Sequence, residues 1–193
     1  MERAIVEGRV ITFEEYLRMP EVKGRYEIID GVMRMTPAPS MEHQWLLKRL
    51  YNLLDDFVSR RGLGVVFFAP VDVVIAREPL RTRQPDLLFL SKERGGVPSR
   101  GAFKGRHFLE AGPDLVVEVL SPSETREEVE EKLADYCRIG VRECWIVSPE
   151  AETVEVLRLT AEGPERIGLF GRGDVARGEV LEGFEVKVDE IFG

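Results

Sequence analysis

Residues 115–147 contain one clear strand–helix–strand step, and this step limits the chain to a small set of folds. The first strand is predicted over 115–120, the helix over 126–139 and the second strand over 144–147. A helix that joins two strands in this way normally leaves them parallel in one sheet and packs on its face. The step therefore predicts an α/β fold with a mixed sheet.

Capping and turn residues predict a hairpin and two helices upstream of this step. A capping-box pattern begins a short helix over 11–19, and Asp30-Gly31 is the predicted turn of a β-hairpin over 25–35. Ser40 is the predicted N-cap of a long amphipathic helix that ends at Arg61-Gly62. These elements place a helix before the strand-rich centre of the chain.

Short apolar runs bounded by Pro, Gly or Ser predict the remaining strands. They lie over 65–68, 71–76, 86–90, 153–159 and, as short strands with turns, 166–192. We interpret the first two as one strand region that Pro70 interrupts. The chain is thus expected to form a single domain over 1–193, with a mixed central sheet flanked by helices, an N-terminal hairpin and a β-rich C-terminal extension.

Composition is typical of a folded globular protein. The 193 residues are 44% hydrophobic and 32% charged, which argues against disorder. No apolar run approaches about 18 residues, and the N-terminus has no signal-peptide pattern, so no membrane partner and a cytoplasmic location are expected. The two cysteines form no metal-binding cluster. A single Asn and two Gln beside abundant charge indicate a heat-adapted source.

The charge distribution is uneven. The net charge is −8, which argues against broad nucleic-acid binding, yet residues 77–106 carry eight basic and three acidic side chains. Two interpretations stay open for this segment: a pair of solvated loops, or a rim that faces phosphate groups.

Two predicted strands each contain a carboxylate in an apolar run. Asp86 begins one strand, and Glu118 lies well inside another. A buried acid is costly unless a partner compensates it. If the strands are neighbours, both carboxylates could hold Mg²⁺, with a backbone carbonyl at Val119 or Leu120 as a further oxygen ligand. Either acid could instead face solvent at a strand end.

Three further side chains could join this site. Lys132 lies about two turns into the helix that follows Glu118 and could reach back to it, although an i,i+4 pair with Glu128 is the simpler interpretation. Glu27, in the first hairpin strand, faces either solvent or the site. His43, in the first turn of the long helix, is either a surface or capping group or an accessory to the site.

In this order, the motifs resemble the PD-(D/E)XK superfamily of restriction-endonuclease-like nucleases, and most of all its Uma-two-like family. The resemblance covers about residues 12–190 and implies a core of helix, three antiparallel strands, helix and strand (αβββαβ). It implies Asp86 and Glu118 as metal ligands. The superfamily lysine two residues after the acid is replaced by Leu120, so Lys132 matches a lysine that has migrated to the next helix. The matching segments are 26–31, 43–44, 84–87, 113–123, 132–136, 140–141 and 144–147.

These observations favour a DNA endonuclease that uses Mg²⁺ or Mn²⁺, with Asp86, Glu118 and Lys132 as its catalytic residues. The basic residues expected to contact DNA are Arg81, Arg83, Arg100, Lys104 and Arg106. The alternative is a catalytically inactive nucleic-acid-binding or oligomeric scaffold of the same fold, and a hydrolase of small phosphoesters is a third hypothesis. Exposed strand edges in the β-rich tail favour a homodimer.

Overall fold

The protein is described by a computed structural model over residues 10–193. Over these residues the helices are α1 (Phe13–Leu17), α2 (Met41–Arg61), α3 (Arg100–Phe103), α4 (Arg126–Arg138) and α5 (Val188–Phe192). The strands are β1 (Tyr26–Ile29), β2 (Val32–Met35), β3 (Gly64–Phe68), β4 (Asp72–Arg77), β5 (Leu80–Arg83), β6 (Leu87–Ser91), β7 (Phe108–Leu109), β8 (Leu115–Val119), β9 (Glu143–Ser148), β10 (Thr153–Thr160), β11 (Gly163–Phe170), β12 (Val175–Arg177) and β13 (Glu185–Lys187).

The central sheet has the strand order β11-β10-β9-β8-β6-β3. Strands β3, β6 and β8 pair antiparallel, whereas β8 and β9 pair parallel across the connection through α4. With α2 at the start, this order is the expected αβββαβ core. The α/β fold with a mixed sheet flanked by helices is confirmed.

The two long helices cover opposite faces of this sheet. Leu50 and Leu54 of α2 share one apolar cluster with Val117, whereas Leu133 of α4 shares another with Val116. Side chains alternate between the faces of a strand. Glu118 therefore lies on the α4 side, and this alternation is why it can meet side chains of that helix.

A second sheet, with the order β2-β1-β5-β4-β7, contains the predicted hairpin. It also corrects one prediction, because β3 and β4 belong to different sheets and do not form one interrupted strand region. The chain changes sheets at Ala69-Pro70, between the two strands. The sequence analysis also missed β5 at Leu80–Arg83, whose charged residues alternate with Leu80 and Thr82.

Strand β5 is held against α4 by buried ion pairs. Asp135, only 2% exposed, accepts hydrogen bonds from Arg81 Nε at 2.7 Å and from Arg83 Nε at 2.7 Å. Glu131 Oε1 contacts Arg81 Nη2 at 2.5 Å. Arg81 and Arg83 are themselves buried. Their guanidinium groups are thus already paired with carboxylates inside the fold, and contact of either arginine with DNA stays a prediction.

The C-terminal extension continues the central sheet. Strands β10 and β11 pair antiparallel beyond β9, and β12 and β13 form a separate two-stranded sheet. Val188 and Ile191 of α5 pack into the same apolar cluster as α2. The β-rich extension is confirmed. Over the described residues, none of the helices is both long and apolar enough to cross a membrane.

The ion pairs between β5 and α4 predict a large stability effect. Replacing Asp135 by Ala leaves two buried guanidinium groups without their shared carboxylate, a change that costs about 3–5 kcal/mol. We expect Asp135→Ala to lower the free energy of unfolding by that amount, measured by urea denaturation followed by circular dichroism.

The matched control is Glu130→Ala on the same helix. Glu130 is 59% exposed and pairs with Arg126 on the surface, so its removal should cost less than about 1 kcal/mol. Equal losses for the two variants would contradict a structural role for the buried pairs.

Candidate functional site

The candidate site is built on the pairing of β6 with β8. Leu87 lies opposite Val117, and the same register places Asp86, just before β6, opposite Glu118. The backbone N–H of Val119 donates to Asp86 Oδ2 at 2.8 Å, which fixes the aspartate against the neighbouring strand. The two acids therefore lie on adjacent strands, as the nuclease hypothesis requires.

Glu118 is held by two side chains of α4. It is 3% exposed, and its Oε2 accepts a hydrogen bond from Lys132 Nζ at 3.0 Å. Its Oε1 accepts a hydrogen bond from the hydroxyl of Tyr136. Lys132 and Tyr136 are four residues apart, so both side chains lie on the same face of the helix. Lys132 also pairs with Glu124 Oε1 at 2.7 Å.

Burial and charge shift the ionisation of these three groups. Burial raises the pKa of Glu118, and the nearby charge of Asp86 adds to this effect, while Lys132 opposes it. Burial lowers the pKa of Lys132, but Glu118 and Glu124 outweigh it, so the net shift is upward and the ammonium is retained. Burial and the neighbouring Glu118 raise the pKa of Tyr136, which keeps its hydroxyl proton for donation.

Asp86 has a different set of partners. Its Oδ1 accepts a hydrogen bond from Arg25 Nη1 at 2.5 Å, and its Oδ2 lies 3.2 Å from His43 Nε2. Burial raises the pKa of Asp86, but the hydrogen bond with His43 and the charge of Arg25 outweigh it and lower the pKa to about 2. The two carboxyl groups thus shift in opposite directions, Asp86 towards the ionised form and Glu118 towards the neutral form.

The remaining predicted accessory residues also lie at this site. Glu27 is partly buried, and its Oε2 contacts Arg83 Nη1 at 2.9 Å. His43 is not a surface group, because its ring is mostly buried. The Nδ1 atom of this ring is buried without a hydrogen-bond partner among the described residues.

A cleft of about 360 Å³ brings these groups together. Its lining includes Asp86, Glu118, Val119, Lys132, Glu27 and His43. Three exposed basic residues expected to contact DNA do not line it, namely Arg100, Lys104 and Arg106.

Three residues that contact Asp86, Glu118 or Lys132 were not predicted from the sequence as site residues. Arg25 contacts Asp86 across 61 residues of chain, and no local pattern indicates that contact. Glu124 lies in the turn before α4. An acidic residue is common near the start of a helix, so the sequence gives no sign of a functional role for it. Tyr136 could have been found from its position, because it follows Lys132 by one helical turn and therefore reaches the same carboxylate.

The donor set of the cleft suits a hard divalent cation. Asp86 and Glu118 supply carboxylate oxygens, and Mg²⁺ is commonly held by one or two carboxylates together with waters and substrate phosphates. Among the described residues, no group of three or more His, Cys, Asp or Glu is arranged to hold a metal ion. A cation here would depend on two carboxylates, backbone oxygen and water.

The mixed sheet flanked by helices is the fold of a restriction-endonuclease-like class of protein. The Uma2 family model, described as "Putative restriction endonuclease", matches residues 13–189. The chain belongs to this family, as the sequence resemblance predicts.

A crystal structure from Anabaena variabilis, described as a "putative nuclease belonging to DUF820", has the same fold. Its TM-score is 0.76 at 18% identity, over 94% of this chain and 97% of that chain. At this identity the match concerns the fold alone. No curated protein is significantly similar to the chain.

The lowered pKa of Asp86 predicts a pH-dependent part of the stability. A group whose pKa falls from 3.8 to about 2 on folding stabilises the protein above pH 3.8 and loses this contribution as the pH falls towards 2. The contribution is about 2 kcal/mol. We expect the difference in unfolding free energy between the native protein and Asp86→Asn to shrink by this amount between pH 5 and pH 2, measured by urea titration at each pH.

Asp56→Asn provides the reference, because Asp56 is a largely exposed residue that pairs with Arg60 on the helix surface. The difference in unfolding free energy between the native protein and Asp56→Asn should change by less than about 0.5 kcal/mol between pH 5 and pH 2. A constant difference for Asp86→Asn would contradict the proposed ionisation of Asp86.

Proposed function

We propose that the protein is a DNA endonuclease that uses Mg²⁺ or Mn²⁺. One observation carries this proposal: Asp86 and Glu118 lie on adjacent strands in one cleft, and the ammonium of Lys132 lies 3.0 Å from the second acid. This combination of two acids and one lysine is the set that the family resemblance implies. A metal site also explains why two acids, which are costly to bury, lie side by side at the central strands β6 and β8.

Asp86 and Glu118 would hold the cation, with the backbone carbonyl of Val119 as a third oxygen ligand. When bound, such a cation activates water and polarises the phosphoryl group. The raised pKa of Glu118 indicates a carboxyl group whose ionised form would be stabilised by a nearby positive charge. Tyr136 would keep this carboxyl group oriented by donating to Oε1.

Lys132 supplies the fixed positive charge of the proposed site. Its ammonium lies between Glu118 and Glu124 and keeps its proton. It would stabilise the negative charge that develops on the phosphate and the leaving oxygen during hydrolysis. Because Leu120 replaces the usual lysine of the motif, this contribution has to come from α4.

His43 and Glu27 are proposed as accessory residues. His43 would position Asp86 through its contact with Oδ2. Glu27 would hold Arg83 and add negative charge beside Lys132. Arg100, Lys104 and Arg106 remain the proposed phosphate contacts of the basic segment, because all three are exposed. A homodimer and a cytoplasmic location stay predictions.

A nuclease-like module that binds nucleic acid without cutting it is the second candidate. The observation that favours it is the full occupancy of the carboxylates by protein donors. Arg25 and Val119 contact Asp86, while Lys132 and Tyr136 contact Glu118. A cation has to displace or share these contacts, so a site locked in this arrangement would be inactive.

Plasmid cleavage with Mn²⁺ or Mg²⁺ tests the proposed activity. We expect Lys132→Met to reduce the cleavage rate by at least about 100-fold, because it removes a preorganised positive charge from the site. Asp86→Ala and Glu118→Gln should reduce cleavage to background. Circular dichroism of each variant checks that the fold is retained.

Lys187→Met is the matched control, since Lys187 is an exposed residue just before α5 and outside the cleft. It should cut at the native rate. Equal cleavage by the native protein and all the site variants would contradict the assignment. Absence of cleavage by the native protein with either metal would favour the non-cutting module.

A further inference from the structure

A second cavity of about 400 Å³ lies next to the acidic cleft. Arg25 and Pro39 line both, and Leu87, which directly follows Asp86, lines the second. The second cavity is therefore lined by the residue that directly follows the proposed metal ligand Asp86. Its other lining side chains include Gln44, Lys48, Tyr51 and Phe68, and we refer to it as the aromatic pocket.

The aromatic pocket presents ring surface that the fold leaves uncovered. Phe68 is 60% exposed, although it ends a strand of the central sheet. It packs against Tyr51 with ring centroids 5.3 Å apart and planes at 88°. In this edge-to-face contact each ring keeps at least one face free of the other. The exposed part of the Phe68 ring is therefore a surface on which a planar group could stack.

The charge of the aromatic pocket also differs from that of its surroundings. The described residues that line it include no acid and two cations, Lys48 and Arg25, of which Arg25 pairs with Asp86 of the neighbouring cleft. The adjoining cleft contains several carboxylates, among them Glu27, Glu118 and Glu124. In a chain of net charge −8, this pocket is thus a local site where an anionic, aromatic ligand meets both ring surface and positive charge.

We propose that the aromatic pocket binds an unpaired nucleobase of the substrate strand, with Phe68 and Tyr51 as its stacking surface and Lys48 on the adjacent phosphate. This inference rests on the proposed function and deepens it, because it makes single-stranded or locally unpaired DNA the preferred substrate. Bases stack on aromatic side chains irrespective of their sequence. Gln44 also lines the pocket, and its amide would hydrogen-bond to the edge of the base. Arg25, shared by the two cavities, would contact the phosphate that enters the cleft.

Binding of a fluorescent single-stranded oligonucleotide, measured by anisotropy in EDTA, tests this proposal without any catalytic step. We expect tighter binding of the single strand than of a blunt duplex of the same sequence. Phe68→Ala should weaken single-strand binding by about tenfold. Phe68→Leu should weaken single-strand binding nearly as much, because leucine keeps apolar bulk but lacks the ring. Phe68→Trp keeps an aromatic ring and should bind the single strand as tightly as the native protein.

Two further comparisons separate base stacking from general attraction. An oligonucleotide of abasic residues should bind weakly and should not respond to Phe68→Ala. Lys48→Gln should lower the slope of log affinity against log salt by about 0.7, the value for one phosphate contact on a single strand. Leu169→Ala removes a comparably exposed apolar side chain on β11 and should leave binding unchanged.

The outcomes distinguish this inference from the proposed nuclease activity. Single-strand binding that depends on Phe68, in a protein that cuts no DNA, would support the pocket and contradict the activity. Metal-dependent cleavage with native single-strand binding in Phe68→Ala would overturn the pocket and leave the activity in place. A native dimer that Phe68→Ala dissociates in sedimentation, with unchanged DNA binding, would overturn it as well and assign the surface to a second copy of the chain.

Discussion

Burial of Glu118 inside the central sheet is the constraint around which the site is organised. Its position in β8 directs the side chain to the α4 face, where the ammonium of Lys132 and the hydroxyl of Tyr136 donate to its carboxylate. An unpaired charge at this depth would be strongly unfavourable. Lys132 and Tyr136 are one helical turn apart, so α4 alone supplies both donors to Glu118. The arrangement of the site therefore depends on how α4 packs on the sheet.

The docking of α4 depends in turn on the second sheet. Asp135 lies one residue before Tyr136 and holds the buried guanidinium groups of Arg81 and Arg83. Residues that look from the sequence like a basic rim therefore fix the helix that presents Lys132. The other basic side chains that line the cleft or the pocket are Arg25, Arg34, Lys48 and Lys132. We propose that the cleft binds the cation and that the aromatic pocket beside it binds a base.

The sequence predicts the elements whose signals are local, and it fails where contacts join distant segments. The αβββαβ order and the hairpin follow from apolar patterning, turns and the crossover at 115–147, whereas the pairing of the strands that carry Asp86 and Glu118 was only a condition of the metal hypothesis. Strand β5 was missed because its arginines become compatible with burial only through acids about fifty residues later. The contact of Arg25 with Asp86 has no sequence signal for the same reason, since Arg25 directly precedes β1, which pairs with β5, and Asp86 follows β5 in the chain. We predicted β3 and β4 as one interrupted strand region, because Pro70 indicates that a strand ends but does not show which sheet the next strand joins.

We propose that one divalent cation is held between Asp86 and Glu118 beside Lys132. A crystal of the protein soaked in Mn²⁺, with data recorded at the manganese absorption edge, would locate this cation. We expect a single anomalous peak bonded to both carboxylates, with Arg25 moved from Asp86 Oδ1 and Lys132 still adjacent to Glu118. The metal-dependent mechanism would be contradicted if the cleft showed no peak at high Mn²⁺. In that case Arg25 would still contact Asp86, and Lys132 and Tyr136 would still contact Glu118.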